Sequence, residues 1–114
     1  VLMIEVPATF PQDFSGTNPP YFEPALLAYL RQQGVKHFIT NLPSVDPEED
    51  AGALAAHKAF WNYPEETDLE RTITELAHFP PTLKSGLYFL NLQVAPLHND
   101  ASPSRPVLYR LKAL

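Results

Sequence analysis

The sequence predicts an α/β fold in which a mixed sheet contains a βαβ unit. Three segments indicate that unit: an apolar run over residues 1–6, a helical pattern that begins at Pro24, and a second apolar run over residues 35–42. A strand, a helix and a strand in this order favour two parallel strands in one sheet, because the helical crossover returns the chain to the same end.

The segment between the first strand and the helix is predicted as a loop over residues 9–21, because its glycine, asparagine and paired prolines prevent regular structure. Pro24 suits the first turn of a helix, where its missing N–H costs nothing. The apolar stripe of this helix consists of Leu26, Leu27 and Leu30. Gly34 is expected to end the helix, since glycine readily adopts the left-handed conformation that follows helix ends.

The rest of the chain continues with a helix and three strands. Residues 51–61 have helical periodicity, residues 72–76 read as a strand, and residues 87–95 give the strongest strand pattern. Residues 107–111 are expected to form a last strand at a sheet edge. The 114 residues fit a single domain. Because the chain opens directly on an apolar strand, we expect it to be the C-terminal part of a longer domain whose N-terminal half precedes it.

Composition and charge exclude several partners. The net charge is −5, so the chain lacks the excess of Lys and Arg that neutralises nucleic-acid phosphates. The longest apolar run is far shorter than the roughly 20 residues that span a bilayer, so no membrane partner is expected. The absence of cysteine excludes disulfides and thiolate metal ligands. We expect a cytoplasmic location. The sequence leaves open whether the protein forms a homo-oligomer.

Polar residues follow the second strand, at the sheet edge where ligands of α/β proteins bind. Ser44 and Asp46 lie there, in a segment that reads PSVDP. Each is either a turn or helix-capping residue or part of a site, and the pattern leaves both open. A charged first turn of the second helix, complementing the helix dipole, is expected from Glu48, Glu49 and Asp50.

Two further side chains carry the chemistry of a metal or acid–base site. His57 lies on or beside the apolar stripe of the second helix, where a histidine is either a hydrogen-bonded core residue or a ligand. Glu75 shares a strand face with Ile73 by alternation. It is either a buried carboxylate that requires a partner or an exposed residue on an edge strand. The remaining histidines are expected to be structural or solvated, namely His37, His78 and His98.

Several common catalytic motifs are missing from the sequence. It contains no G-x-S-x-G elbow, no phosphate-binding glycine loop, and no pair of histidines at i, i+4 beside an acid. Residue types and spacing alone therefore predict an α/β chain with a candidate site around Asp46, His57 and Glu75, and nothing more specific.

Four segments in order resemble the C-terminal half of the cyclase family, which includes bacterial kynurenine formamidase (arylformamidase) and isatin-hydrolase-like enzymes. They read LPSVDP at residues 42–47, AAH at 55–57, ITEL at 73–76 and GLYFL at 86–90. The resemblance extends from Val1 through Pro106. It implies a swivelling β/β/α fold and hydrolysis of a formamide or cyclic amide by water activated on a divalent metal.

By this resemblance, His57 and Glu75 are metal ligands, and the metal is zinc or manganese. Ser44 and Asp46 are the strand-end residues beside the metal pocket. The implied partners are a small-molecule amide substrate, with tryptophan catabolism through kynurenine as its context, and the N-terminal half of the same protein.

Aromatic residues follow the histidine directly. Phe60 and Trp61, together with Tyr63, either line a pocket that accepts an aromatic substrate or pack in the core. The sequence leaves both interpretations open.

Two departures from the family pattern matter. The spacing from His57 to Glu75 exceeds that of the formamidases, with residues 62–70 holding the insertion. The motif H-x-G-T-H-x-D-x-P, which supplies the family's other metal ligands and its acid–base histidine, is absent. The chain therefore contains no assignable catalytic residue and is expected to be inactive alone.

Two alternatives stand beside the enzyme hypothesis. One is a non-catalytic α/β binding or assembly module that keeps the family's scaffold. The other is an unrelated small α/β domain, which would be supported if His57 and Glu75 lay well beyond about 7 Å apart with no shared cavity, too far to share one metal ion.

Overall fold

The computed structural model describes residues 1–7 and 13–111. The chain forms two compact units, Val1–Phe79 and Pro80–Leu114. Helices alternate with parallel strands in the first unit, which confirms the predicted α/β class. The early part of the predicted loop, residues 9–12, lies outside the described residues.

A three-stranded parallel sheet forms the centre of the first unit. β1 (Leu2–Ile4), β2 (His37–Thr40) and β3 (Thr72–Thr74) lie side by side in that order. Phe38 of the middle strand pairs with a residue of each neighbour, and both pairings are parallel. The predicted βαβ unit is therefore confirmed, and a second crossover places β3 on the other side of β2.

α1 (Pro24–Gln32) begins and ends where the sequence predicts. Pro24 occupies the first turn, and the preceding Glu23 is extended, as favoured for a residue before proline. Gly34 has a φ of +80°, and its N–H donates to the carbonyl of Arg31. The left-handed glycine thus closes the helix and turns the chain towards β2.

α2 (Ala55–Trp61) begins four residues later than the predicted start at residue 51. Ala51, Gly52 and Leu54 have positive φ angles, which interrupt a right-handed helix. The carboxylate of Asp50 accepts hydrogen bonds from the N–H groups of Gly52 and Leu54 and so stabilises a turn. The prediction of a charged first turn is therefore wrong for Glu48, Glu49 and Asp50.

The hydrophobic core of the first unit lies between the sheet and the two helices. α1 contributes Leu27 and Leu30, and β2 contributes Phe38. The rings of Phe22 and Phe60 flank Phe38, with centroids 5.2 and 6.3 Å away. Burying an aromatic or leucine side chain of this kind stabilises a fold by about 1.5–3 kcal/mol, so this cluster anchors both helices to β2.

The second unit is an antiparallel hairpin. β4 (Tyr88–Val94) and β5 (Ser104–Arg110) pair along their whole lengths. β5 begins three residues earlier than predicted, because the ladder includes Pro106, which pairs with Leu92. A proline is tolerated there because a strand in a two-stranded sheet has an unpaired edge.

The single mixed sheet of the prediction is thus two sheets, one parallel and one antiparallel. A long connection joins β3 to β4. It contains prolines at positions 80 and 81, which cannot donate the backbone hydrogen bonds of a sheet. Within the described residues, neither helix has the length and hydropathy needed to cross a membrane.

Candidate functional site

The candidate site lies at the carboxyl end of the parallel sheet. The chain leaves β2 at Thr40 and turns through residues 41–46, while Glu75 follows the last residue of β3. The start of α2 lies against the same edge, since the N–H of Ala56 donates to Asp46. Parallel strands bring their carboxyl ends together, so the topology gathers residues 30 positions apart in the sequence.

Asp46 is the buried centre of this arrangement, with 3% of its surface exposed. Its Oδ1 accepts a 2.6 Å hydrogen bond from the N–H of Ala56, and its Oδ2 accepts a 3.2 Å bond from the N–H of His57. The same Oδ2 lies 2.5 Å from Nδ1 of the His57 ring. The two alternatives left open for Asp46, helix capping and a place in a site, are therefore compatible.

His57 lies between two carboxylates. Its Nδ1 faces Asp46, and its Nε2 lies 3.4 Å from Oε1 of Glu75. The imidazole side chain is 15% exposed, and its ring packs beside that of Trp61 with centroids 5.2 Å apart. The separation of more than about 7 Å that would have supported the unrelated-domain alternative is not observed.

Glu75 is held by its backbone surroundings as well as by its side chain. Its Oε1 accepts a 2.8 Å hydrogen bond from the N–H of Val45. The next residue, Leu76, donates its N–H to the carbonyl of Leu42. Burial raises the pKa of the Glu75 carboxyl; the Val45 hydrogen bond and the charge of His57 oppose this shift, and the charge of Asp46 adds to it. The prediction that Glu75 lies on a strand face is wrong, because β3 ends at Thr74 and Glu75 follows it. The side chain is neither fully buried nor that of a solvated edge residue.

The other predicted site residues separate into two groups. Ser44 joins the site indirectly, because its Oγ accepts the N–H of Asp46 at 3.0 Å. The ring of Trp61 lies beside that of His57, tilted by 51° from it. Phe60 is fully buried and packs in the core against Phe38, beneath the guanidinium of Arg71. Of the two aromatic residues, Trp61 is therefore the one beside the histidine.

Two strained leucines flank the site residues. Leu54, directly before α2, has a φ of +48°, and Leu76, directly after Glu75, has a φ of +54°. A left-handed leucine costs about 1–2 kcal/mol, because its Cβ approaches the backbone carbonyl. Strain of this kind persists where the surrounding structure fixes the backbone, and it is concentrated at functional sites.

Sequence reasoning did not find these leucines or the backbone donor Val45. Glycine is the usual residue at positive φ, so a leucine gives no such signal. Val45 contributes through its N–H, which every residue but proline has. The contact of the loop before α1 with Glu48 was missed as well, because the residues lie 32 and 30 positions apart in the sequence. Glu48 accepts hydrogen bonds there from the N–H groups of Gly16 and Asn18.

The donor set fits two ligands of a metal ion and no more. In the described part of the chain, no group of three or more His, Asp or Glu side chains could hold a metal. Asp46 is not a third ligand beside His57 and Glu75, because its carboxylate contacts Nδ1 of His57 and not the side of the ring that carries Nε2. Two ligands each about 2.1 Å from a tetrahedral ion lie about 3.4 Å apart. His57 Nε2 and Glu75 Oε1 have this separation.

Comparison with known proteins adds no relative: no family model, curated protein or solved structure matches the chain.

Proposed function

We propose that this chain is the C-terminal part of a metal-dependent amide hydrolase of the cyclase type, with the swivelling β/β/α fold of that family. In this proposal His57 and Glu75 are ligands of a zinc or manganese ion. The substrate is a formamide or a cyclic amide, as in arylformamidase.

One observation carries the proposal: the 3.4 Å distance between Nε2 of His57 and Oε1 of Glu75. A neutral imidazole and a carboxylate are ligands that both zinc and manganese accept. The two residues come from different elements, α2 and the end of β3, which the parallel topology brings to one edge of the sheet. The segments that resemble the cyclase family at residues 42–47, 55–57 and 73–76 supply the hydrogen-bond and charged partners described for this pair.

The metal, when bound, would lower the pKa of a water molecule towards about 7 and polarise the amide carbonyl. His57 and Glu75 would hold the ion in this scheme, and Trp61 lies beside the imidazole. A hydrolytic site needs about three protein ligands and an acid–base group for the leaving amine. We propose that these come from the N-terminal half of the same protein.

The ligand assignment is tested first on this chain by adding Mn²⁺, whose unpaired electrons broaden nearby NMR signals. We expect the ring signals of His57 to broaden at lower Mn²⁺ concentration than those of His98, the matched control in the hairpin loop. Glu75→Gln should remove this preference, whereas Glu65→Gln should not. Equal broadening of His57 and His98 would contradict the assignment.

The activity is tested on the protein with its N-terminal half. His57→Ala and Glu75→Gln should each remove most of the bound metal, measured by elemental analysis, and most of the hydrolysis of an N-formyl aniline. His37→Ala is the control, since His37 bonds to Thr72 away from the site. If the metal content and the rate of amide hydrolysis were unchanged in both site variants, the proposal would be overturned.

The alternative from another class is a non-catalytic binding or assembly module on the same scaffold. It predicts that the protein with its N-terminal half neither concentrates metal at His57 nor hydrolyses amides. The same two measurements therefore separate the enzyme from the module.

A further inference from the structure

Asp46 contacts three N–H donors from a neighbouring element. Its carboxylate accepts the backbone N–H groups of Ala56 and His57, and it lies 2.5 Å from Nδ1 of the His57 ring. An ionised carboxylate has acceptors and no proton to donate. Oδ2 of Asp46 lies 2.5 Å from Nδ1, whereas Oε1 of Glu75 lies 3.4 Å from Nε2, so on a ring with one proton the closer carboxylate holds it and Nδ1–H donates to Asp46.

We infer that Asp46 is the positioning residue for His57: it keeps the imidazole proton on Nδ1 and leaves the Nε2 lone pair free to bind an ion together with Glu75. A neutral imidazole carries one proton, so fixing it on Nδ1 leaves Nε2 as an acceptor or ligand. The inference rests on the proposed function for its effect on metal affinity. Its effect on the tautomer stands without it.

Asp46 is itself held firmly enough for this role. Its own N–H donates to Oγ of Ser44 at 3.0 Å. The carbonyl of the neighbouring Val45 accepts the N–H of Phe22, a core residue. The carboxylate is only 2% exposed, so water does not compete for its oxygens. A buried carboxylate is costly without donors, and here the donors all come from the start of α2.

The capping role and the positioning role of Asp46 can be separated. α2 lacks a side-chain cap of its own, because the residue before it is Leu54. Oδ1 of Asp46 satisfies Ala56, as a cap does, whereas Oδ2 holds the ring. Asp50 offers a matched comparison: it accepts two backbone N–H groups just before the same helix, from Gly52 and Leu54.

The first experiment measures where the proton resides on neutral His57, from long-range ¹H–¹⁵N NMR correlations of the ring. In the unmodified chain we expect the proton on Nδ1. A proton on Nε2 would overturn the inference, and this result requires no variant that folds.

The second experiment compares Asp46→Asn with Asp50→Asn. An amide has one acceptor oxygen for the three N–H groups, and its NH₂ opposes a donor in either orientation. We expect Asp46→Asn to lose the single Nδ1–H tautomer and Asp50→Asn to keep it, while thermal melts report the capping loss in both. A lower melting temperature in Asp46→Asn with an unchanged tautomer would reduce Asp46 to a helix cap.

The third experiment titrates each variant with Zn²⁺ alone, in the protein with its N-terminal half, and follows the His57 ring signals. Outer partners of ligating histidines typically change metal affinity 10–100-fold, so we expect Asp46→Asn to need roughly that much more Zn²⁺ and Asp50→Asn to match the unmodified chain. Equal affinity in Asp46→Asn would contradict the inference. Failure of Zn²⁺ to bind near His57 in every variant would instead refute the proposed function, while the tautomer still decides the role of Asp46.

Discussion

The two units of the chain use similar apolar composition to different effect. In the first unit, helices cover one face of a parallel sheet, and β2 is buried from Phe38 to Thr40. In the hairpin, none of the described residues 80–111 is fully buried, and Phe89 is 62% exposed. A strand provides a rigid frame only where other elements cover it. The candidate site is built on the covered unit, where residues from three elements are held to one geometry.

The largest expected difference between the units lies in their response to cavities. Phe38→Ala removes a fully buried ring and should lower the free energy of unfolding by about 3–5 kcal/mol. Phe89→Ala, the matched change in the hairpin, should cost under about 1 kcal/mol because its ring is already in water for the most part. Urea denaturation of both variants measures the contrast, and equal losses would contradict it.

Local opening should differ in the same direction. Amide hydrogens of β2 should exchange roughly 100-fold more slowly than those of β4, because few buried contacts oppose opening of a two-stranded sheet. Hydrogen exchange followed by mass spectrometry resolves the two peptides. Matching protection would show that the units open together.

The strained backbone at Leu76 allows a sharper comparison, because a leucine-to-glycine change should alter the free energy of unfolding with opposite sign in the two units. Leu76→Gly should raise the free energy of unfolding by about 0.5–1 kcal/mol, since glycine adopts a positive φ without penalty and the leucine is 62% exposed. Leu87→Gly, at a residue whose φ is not positive, should lower it by a similar amount. Thermal melts compare them, and destabilisation by both would argue against strain at Leu76.

The smallest expected effect concerns charge. Residues 1–79 carry twelve of the thirteen acidic side chains, so acid sensitivity should arise mainly in the first unit. The hydrogen bond from Lys36, with the nearby cations Lys36 and Arg71, holds the pKa of Asp68 below its ordinary value of 3.8. A lowered folded-state pKa stabilises the fold above that value, and the gain is lost as the pH falls below it.

Asp68→Asn should therefore be less stable than the unmodified chain near neutral pH, with a difference that shrinks below pH 3.8. The difference should also weaken in high salt, because the groups are near the surface. Asp100→Asn in the hairpin loop is the control, and denaturation midpoints across pH give the measurement. A difference that grows in acid would reverse the sign of the argument.

The order and type of every element in the described chain could be predicted from the sequence. Pro24 and Gly34 marked the ends of α1 because their effects are local: a missing N–H and freedom at positive φ. The start of α2 was misplaced because the competing turn depends on Asp50 accepting N–H groups within the loop, which periodicity does not reveal. The division into two sheets was missed since strand patterns do not specify partners.

For the candidate site, the sequence by itself determined which residues to consider. Asp46, His57 and Glu75 stood out because a carboxylate or imidazole among apolar neighbours requires a partner. Only the tertiary structure decided how they are arranged: Asp46 on Nδ1, Glu75 near Nε2, and Phe60 in the core. The physical reason is that a hydrogen bond forms only when donor and acceptor are placed to within a few tenths of an ångström, and that placement depends on how the elements pack. Side-chain types fix what a residue can do, and the packing of α2 against the ends of β2 and β3 fixes which partner it meets.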